Sequence, residues 1–141
     1  IPGLRELSSI SEMASVSEHE GIRLGNIYNF IMVNYSRQIT LEDVAAQAHM
    51  TPQAFCRYFK KRTRHTFVSF LNEVRINEAC KKLTDGGFES ISAIAYTCGF
   101  NSITNFNRVF KTITAKSPSE YIDAYNTNTF ETTPNHSVLA Y

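Results

Sequence analysis

The sequence predicts an all-α fold, a seven-helix domain in which two helix-turn-helix units are joined by a long central helix. Three observations predict it. Apolar residues recur at helical spacing along most of the chain, and no segment alternates convincingly as a strand would. Ser or Thr stands at a capping position before most of these segments. Finally, one segment occurs twice. Leu41, Val44 and Ala45 match Ile91, Ile94 and Ala95 at an offset of 50, and Phe55, Arg57, Phe59 and Lys60 match Phe106, Arg108, Phe110 and Lys111 at an offset of 51. The copies agree apart from one extra residue in the turn. Each reads as a short helix, a tight turn, and a longer helix that is apolar on one face and basic on the other.

The elements follow in order. Residues 1–22 read as a linker or the remnant of an N-terminal region. They are serine-rich, and Leu4, Leu7, Ile10 and Met13 or Ala14 could line a short amphipathic helix. The folded domain is expected over 23–125. Ile27, Phe30, Ile31 and Tyr35 place a first helix at about 23–35. Thr40 caps a second, with Glu42 and Asp43 in its first turn, and His49-Met50 form the turn that follows. Thr51 caps the third helix and Pro52 takes its first position, where a missing N–H costs nothing; it runs to about Arg62. From Thr66 to about Asp85, the residues Phe67, Phe70, Leu71, Val74, Ala79 and Leu83 mark one long amphipathic helix, ended by Gly86-Gly87. Ser90 caps the fifth helix, Gly99 supplies a turn, and Ser102 caps the sixth, which ends near Thr114. Ser117-Pro118 opens a short last helix with Glu120 as capping-box partner. Residues 126–141 are Asn- and Thr-rich and read as a flexible tail.

The net charge of +1 hides a segregation. Residues 51–116 carry eleven basic side chains against four acidic ones, a net of +7, while the segments on either side are each net −3. A basic middle is the footprint of a polyanion binder, although charge alone fits a solvated helical surface as well. The three cysteines, Cys56, Cys80 and Cys98, form no close pair, which argues against a disulfide framework or a zinc site and fits a cytoplasmic location. No run of about 18 apolar residues occurs, so no membrane span is expected. No cofactor or metal motif appears.

The duplicated longer helices carry the chemistry. In the first, Phe55 and Phe59 share one face while Gln53, Cys56, Arg57 and Lys60 share the opposite one. In the second, Phe106 and Phe110 face inward while Thr104, Asn107, Arg108 and Lys111 face outward. Arg bonds guanine bidentately, and Asn or Gln bonds adenine. Gln53, Cys56, Arg57, Thr104, Asn107 and Arg108 are therefore candidate base readers. Lys60, Lys111 and the capping hydroxyls of Thr51 and Ser102 suit phosphates, which fix register without reading sequence. A lone surface Arg more often pairs with a nearby acid. The same polar face, found twice in the same register, favours DNA contact. Cys56 is the odd member, either in apolar contact with a thymine methyl or inert. A central helix of roughly 30 Å would hold two reading helices about one DNA turn apart. A rigid one would require the duplex to bend, at about 1–6 kcal/mol.

These residues resemble the DNA-binding domain of the AraC/XylS family of bacterial transcription regulators, over about 23–125. The resemblance rests on Leu41-Glu42-Asp43-Val44-Ala45, Met50-Thr51 and Phe55-x-Arg57-x-Phe59-Lys60-Lys61 in the first half. In the linker it rests on Phe67, Phe70-Leu71, Arg75-Ile76 and Ala79. In the second half it rests on Ile91-x-x-Ile94-Ala95, Gly99-Phe100, Ser102, Phe106-x-Arg108-x-Phe110-Lys111 and Ser117-Pro118-x-x-Tyr121. It implies sequence-specific promoter binding, usually for activation through contact with RNA polymerase. It also implies an effector-sensing or dimerising domain outside this chain. Four places depart from the family pattern. Arg64 and Ala115 stand where Gly usually follows each reading helix, His49 where the first turn often has Gly, and Ile122 where a basic residue often follows the last Tyr.

Two other classes compete with this reading. An enzyme is disfavoured: the Pro-Cys-His-Arg motif of related DNA-repair proteins is missing, as are Gly-x-Ser-x-Gly, the P-loop and His-Glu-x-x-His. The other rival is a helical protein-interaction module that never touches DNA. A salt series in a DNA-retention assay separates it from the first reading. A DNA binder is expected to lose affinity steeply as salt rises, whereas an interaction module retains no DNA even at low salt.

Overall fold

Hydroxyl side chains set the helix starts. The oxygens of Thr40, Thr51, Thr66, Ser90, Ser102 and Ser117 each accept a bond from the backbone N–H three residues on, at 3.0–3.2 Å. Each thereby satisfies one of the donors a helix leaves orphaned at its N-terminus. The computed structural model describes residues 18–87 and 89–132. Among these residues the order is α1 (Glu18–Asn34), α2 (Leu41–Gln47), α3 (Pro52–Thr63), α4 (Phe67–Leu83), α5 (Ile91–Thr97), α6 (Ile103–Thr114) and α7 (Pro118–Thr132), with no strand. This is the expected all-α plan. Two capping boxes close: Thr40 N–H donates to the Asp43 carboxylate, and Ser117 N–H to that of Glu120.

Three boundaries differ from expectation. α1 begins at Glu18 rather than about 23, so residues 18–22 belong to a helix and not to a linker. α7 runs on to Thr132, past the expected boundary at 125. α4 stops at Leu83, where the Thr84 hydroxyl turns back to the Cys80 carbonyl at 2.9 Å, before Gly86 and Gly87 are reached. At about 1.5 Å per residue, its 17 residues span roughly 25 Å, less than the expected 30 Å. The suggested helix near Leu4–Met13 and the tail beyond 132 lie outside the described residues.

The larger correction concerns α4. It is not one amphipathic stripe but two. Phe67, Phe70, Leu71 and Val74 are buried in a first core with Ile27, Ile31, Val44, Phe55 and Phe59. Ile76, Ala79, Cys80 and Leu83 are buried in a second core with Ile94, Phe100, Phe106 and Phe110. The stripes repeat the i, i+3, i+4, i+7 spacing, but the second begins about two and a half turns after the first, at 3.6 residues per turn. They therefore lie on opposite sides of the helix. Arg75 and Asn77, both buried, flank the start of the second stripe. Each core is anchored by aromatic rings: Phe55, Phe59, Phe67 and Phe70 pack at centroid distances of 5.4–6.3 Å, and Phe100, Phe106, Phe110 and Tyr121 at 5.2–5.6 Å. Burying one such ring contributes about 1.5–3 kcal/mol.

The duplication extends further than the sequence pattern showed. α2 and α5 are each 7 residues long, and α3 and α6 each 12. Both turns close alike: Met50 N–H reaches the Ala45 carbonyl and Phe100 N–H the Ala95 carbonyl, each at 3.1 Å. After each longer helix, a threonine hydroxyl (Thr63, Thr114) bonds the carbonyl four residues back and the one two residues on. α4 stands to the first unit as α7 does to the second. Leu24, Ile27 and Ile31 of α1 stand to the first unit as Ile76, Ala79 and Leu83 of α4 do to the second. The units therefore share α4, as last helix of one and first helix of the other.

The departures from the family pattern leave a conformational signature. His49, Arg64 and Ala115 hold φ of 58°, 65° and 69°, the left-handed region that glycine adopts freely. Arg64 and Ala115 are the C-caps of α3 and α6, and both are exposed. A non-glycine residue there carries about 1–2 kcal/mol of strain, partly offset by its smaller entropy loss on folding. Arg64→Gly and Ala115→Gly are each expected to stabilise the fold by about 0.5–1 kcal/mol, read as a raised Tm in thermal unfolding. A lowered Tm would contradict the strain assigned to these caps.

Candidate nucleic-acid interface

The outward faces of α3 and α6 hold the sequence-derived site residues. Gln53, Cys56, Arg57 and Lys60 are all exposed on α3, and Thr104, Asn107, Arg108 and Lys111 are all exposed on α6. Each face exists because the opposite one is fixed: Phe55 and Phe59 on α3, and Phe106 and Phe110 on α6, are at most 1% exposed. Ile103 is half-buried at the edge of the second face, beside Asn107 and Lys111, in a groove that Ser117 and Pro118 also line.

The acid-pairing alternative for the arginines finds no support in the geometry. Among the described residues the ion pairs join Arg37 to Asp43, Arg62 to Glu20 and Lys81 to Glu78, and none involves Arg57, Lys60, Arg108 or Lys111. Arg108 instead donates from Nη2 to the amide oxygen of Asn105, one turn back on the same helix. That bond turns its guanidinium toward α4, where it rims a hollow shared with Val68 and Asn72. Arg57 has no such tether among the described residues. The two arginines, equivalent in sequence, are thus held differently.

Thr51 and Ser102 each use one oxygen lone pair on the Ala54 and Asn105 N–H groups, at 3.2 Å and 3.1 Å. Their O–H donors remain. Thr51 is exposed and Ser102 half-buried, so the first offers its hydroxyl more openly.

The first longer helix is also anchored from behind. Tyr58 donates its hydroxyl to Glu20 at 2.8 Å, and Arg62 pairs with the same carboxylate at 3.4 Å. Arg23 and Arg62 both lie over the Tyr58 ring, 5.5 Å and 5.8 Å from its centre. Burial, with the bond to Glu20, pushes the Tyr58 hydroxyl up to about 12. On the second unit the ring of Tyr121, from α7, packs edge-on against Phe110 of α6 at 5.6 Å, and burial pushes its hydroxyl up to about 12.

Sequence reasoning missed the residues that join the two units. Arg75 donates from Nε to the Tyr35 carbonyl and from Nη2 to the Arg37 carbonyl, both at 2.8 Å. Gln38 donates to the Gly99 carbonyl at 3.2 Å. In sequence Arg75 stands among Asn72, Glu73, Asn77 and Glu78 and reads as one more solvated helix charge, so it gave no signal of a buried role. Glu20 and Tyr58 carried no signal at all, being 38 residues apart.

Among the described residues, no group of His, Cys, Asp and Glu could hold a metal, and no helix is long and apolar enough to cross a membrane. The chemistry on offer is paired amide, hydroxyl and guanidinium groups on two like helices.

That geometry defines a double helix-turn-helix protein. A family model described as "Helix-turn-helix domain" matches residues 44–124. An uncharacterised HTH-type transcriptional regulator of Escherichia coli, YijO, is 33% identical over 77% of this chain and 38% of its own length. The HTH-type transcriptional activator RhaS of Klebsiella pneumoniae is 29% identical over 72% of this chain and 36% of its own length. Among solved structures, the DNA-binding domain of AdpA in complex with a target DNA has a TM-score of 0.69 and 25% identity, covering 74% of this chain and 93% of that one. The chain belongs to the AraC/XylS family of helix-turn-helix transcription regulators. It spans under two fifths of the length of these two curated relatives.

Proposed function

We propose that this chain is the sequence-specific DNA-binding part of a transcription regulator, and that α3 and α6 enter two successive major-groove segments of one duplex. The observation that carries the reading is the matched pair of outward faces, exposed in both units and free of ion pairs among the described residues. The basic surplus of residues 51–116 supplies the attraction to phosphate that any such protein needs. The likeness to the AdpA domain, which was solved with its target DNA, supports the same mode of use.

In this reading Arg57 and Arg108 bond guanine, Gln53 and Asn107 bond adenine, and Cys56 and Thr104 contact thymine methyls or neighbouring edges. Thr51, Lys60, Ser102 and Lys111 hold phosphates and set the register. Arg108 is already restrained by Asn105 and turned toward α4, so reaching a base requires it to leave that bond, whereas Arg57 is not held by a bond among the described residues. Activation is the favoured outcome, because the family resemblance implies it and RhaS carries that name. Contact with RNA polymerase, a cytoplasmic setting and an effector-sensing region elsewhere in a longer protein complete the proposal.

Binding sites are first selected from random DNA. Arg57→Ala and Arg108→Ala are each expected to weaken binding to the selected site by about 1–3 kcal/mol and to relax base preference at separate places in it. Uniform weakening on every sequence would show that these side chains hold phosphates instead.

A further inference from the structure

We infer that Arg75, together with Gln38 and Gly99, is a positioning bridge that fixes how the two reading helices are phased against each other. The inference rests on the DNA-reading function proposed above. The two cores are separate clusters that share α4, and Arg75 lies between the last residue of one stripe, Val74, and the first of the other, Ile76. A helix by itself bends, so α4 fixes the relative setting of the units only if something spans its midpoint.

Arg75 does so. Its guanidinium is held by two backbone carbonyls of the connection between α1 and α2, Tyr35 and Arg37, which belong to the first unit. Its Cζ lies over the ring of Phe100, 5.9 Å from the ring centre, in the turn of the second unit. Gly99, in that same turn, comes so close that a Cβ there would strike both the Tyr35 carbonyl and the Arg75 guanidinium. Gln38 adds a direct bond from the first unit to the Gly99 carbonyl. The first turn puts His49 at the matching place with φ 58°, whereas Gly99 holds 105°, which side-chain-bearing residues rarely adopt. The second turn therefore needs glycine twice over, for its backbone and because the bridge occupies the space a Cβ would fill.

No acid pairs with Arg75 among the described residues, and burial lowers its tendency to stay protonated. The guanidinium suits this place because its flat, forked donors reach two carbonyls at fixed angles, which a lysine ammonium does not do.

The test measures affinity for a family of DNA sites in which the two selected half-sites are moved apart or together by one and two base pairs. A site holding a single half-site serves as control. The native chain is expected to prefer one spacing by at least tenfold over its neighbours. Arg75→Lys is expected to flatten that preference to about threefold or less while single half-site binding stays within about twofold. If Arg75→Lys does not fold, Gln38→Ala, which removes only the part-buried bond to Gly99, is expected to lower the preference at least twofold. An unmoved spacing preference in whichever variant folds overturns the bridge. Failure of the native chain to select any DNA sequence overturns the proposed function instead, and is seen before the spacing series is read.

Discussion

The structure depends on one helix being buried on two opposite sides. α4 offers Phe67, Phe70, Leu71 and Val74 to one core and Ile76, Ala79, Cys80 and Leu83 to the other, with a half-turn offset between the stripes. Neither unit is complete without it. The first lacks its closing helix and the second its opening one. Sharing makes the pair behave as one body, because anything that frays α4 exposes apolar surface in both cores. It also creates a problem at the crossover, where the backbone changes the face it buries. The chain meets that problem with a charged residue, Arg75, whose charge is neutralised by no acid among the described residues and is solvated by carbonyl dipoles. Such a residue specifies geometry better than an apolar one, since its bonds have fixed directions.

The consequence for the surface is that α3 and α6 are presented by equivalent scaffolds. In both, aromatic rings fill the inner face, a hydroxyl caps the start, a left-handed residue ends the helix, and a threonine ties down the next turn. Equivalent scaffolds do not give equivalent sites. Arg108 is restrained by Asn105 and leans toward α4, while Arg57 has no tether among the described residues. α3 is braced from behind through its own Tyr58, which bonds Glu20 near the start of α1.

Much of this was legible in the sequence, and for identifiable reasons. Caps, turns and single-face helices are local: Thr51-Pro52, Ser117-Pro118 and the Phe55–Phe59 spacing announce themselves within a few residues. The outward faces followed from the inward ones by helix geometry alone. What failed was less local. The two stripes of α4 merged into one expected pattern, because a search for a single amphipathic face accepts Phe67 through Leu83 without noticing the half-turn slip. α1 and α7 proved longer than their apolar spacing suggested, since their extensions carry few large apolar residues. The bridges, Arg75 to Tyr35 and Tyr58 to Glu20, join residues 40 and 38 positions apart, and only folding brings such pairs together.

The central claim is that two like helices dock on one duplex at the same time. Hydroxyl-radical footprinting of this chain on its selected site tests it most directly. The account predicts two protected stretches on one face of the DNA, about one helical turn, some 34 Å, apart. A single protected stretch at saturating protein would show that only one unit docks, and the reading of the second face would fall.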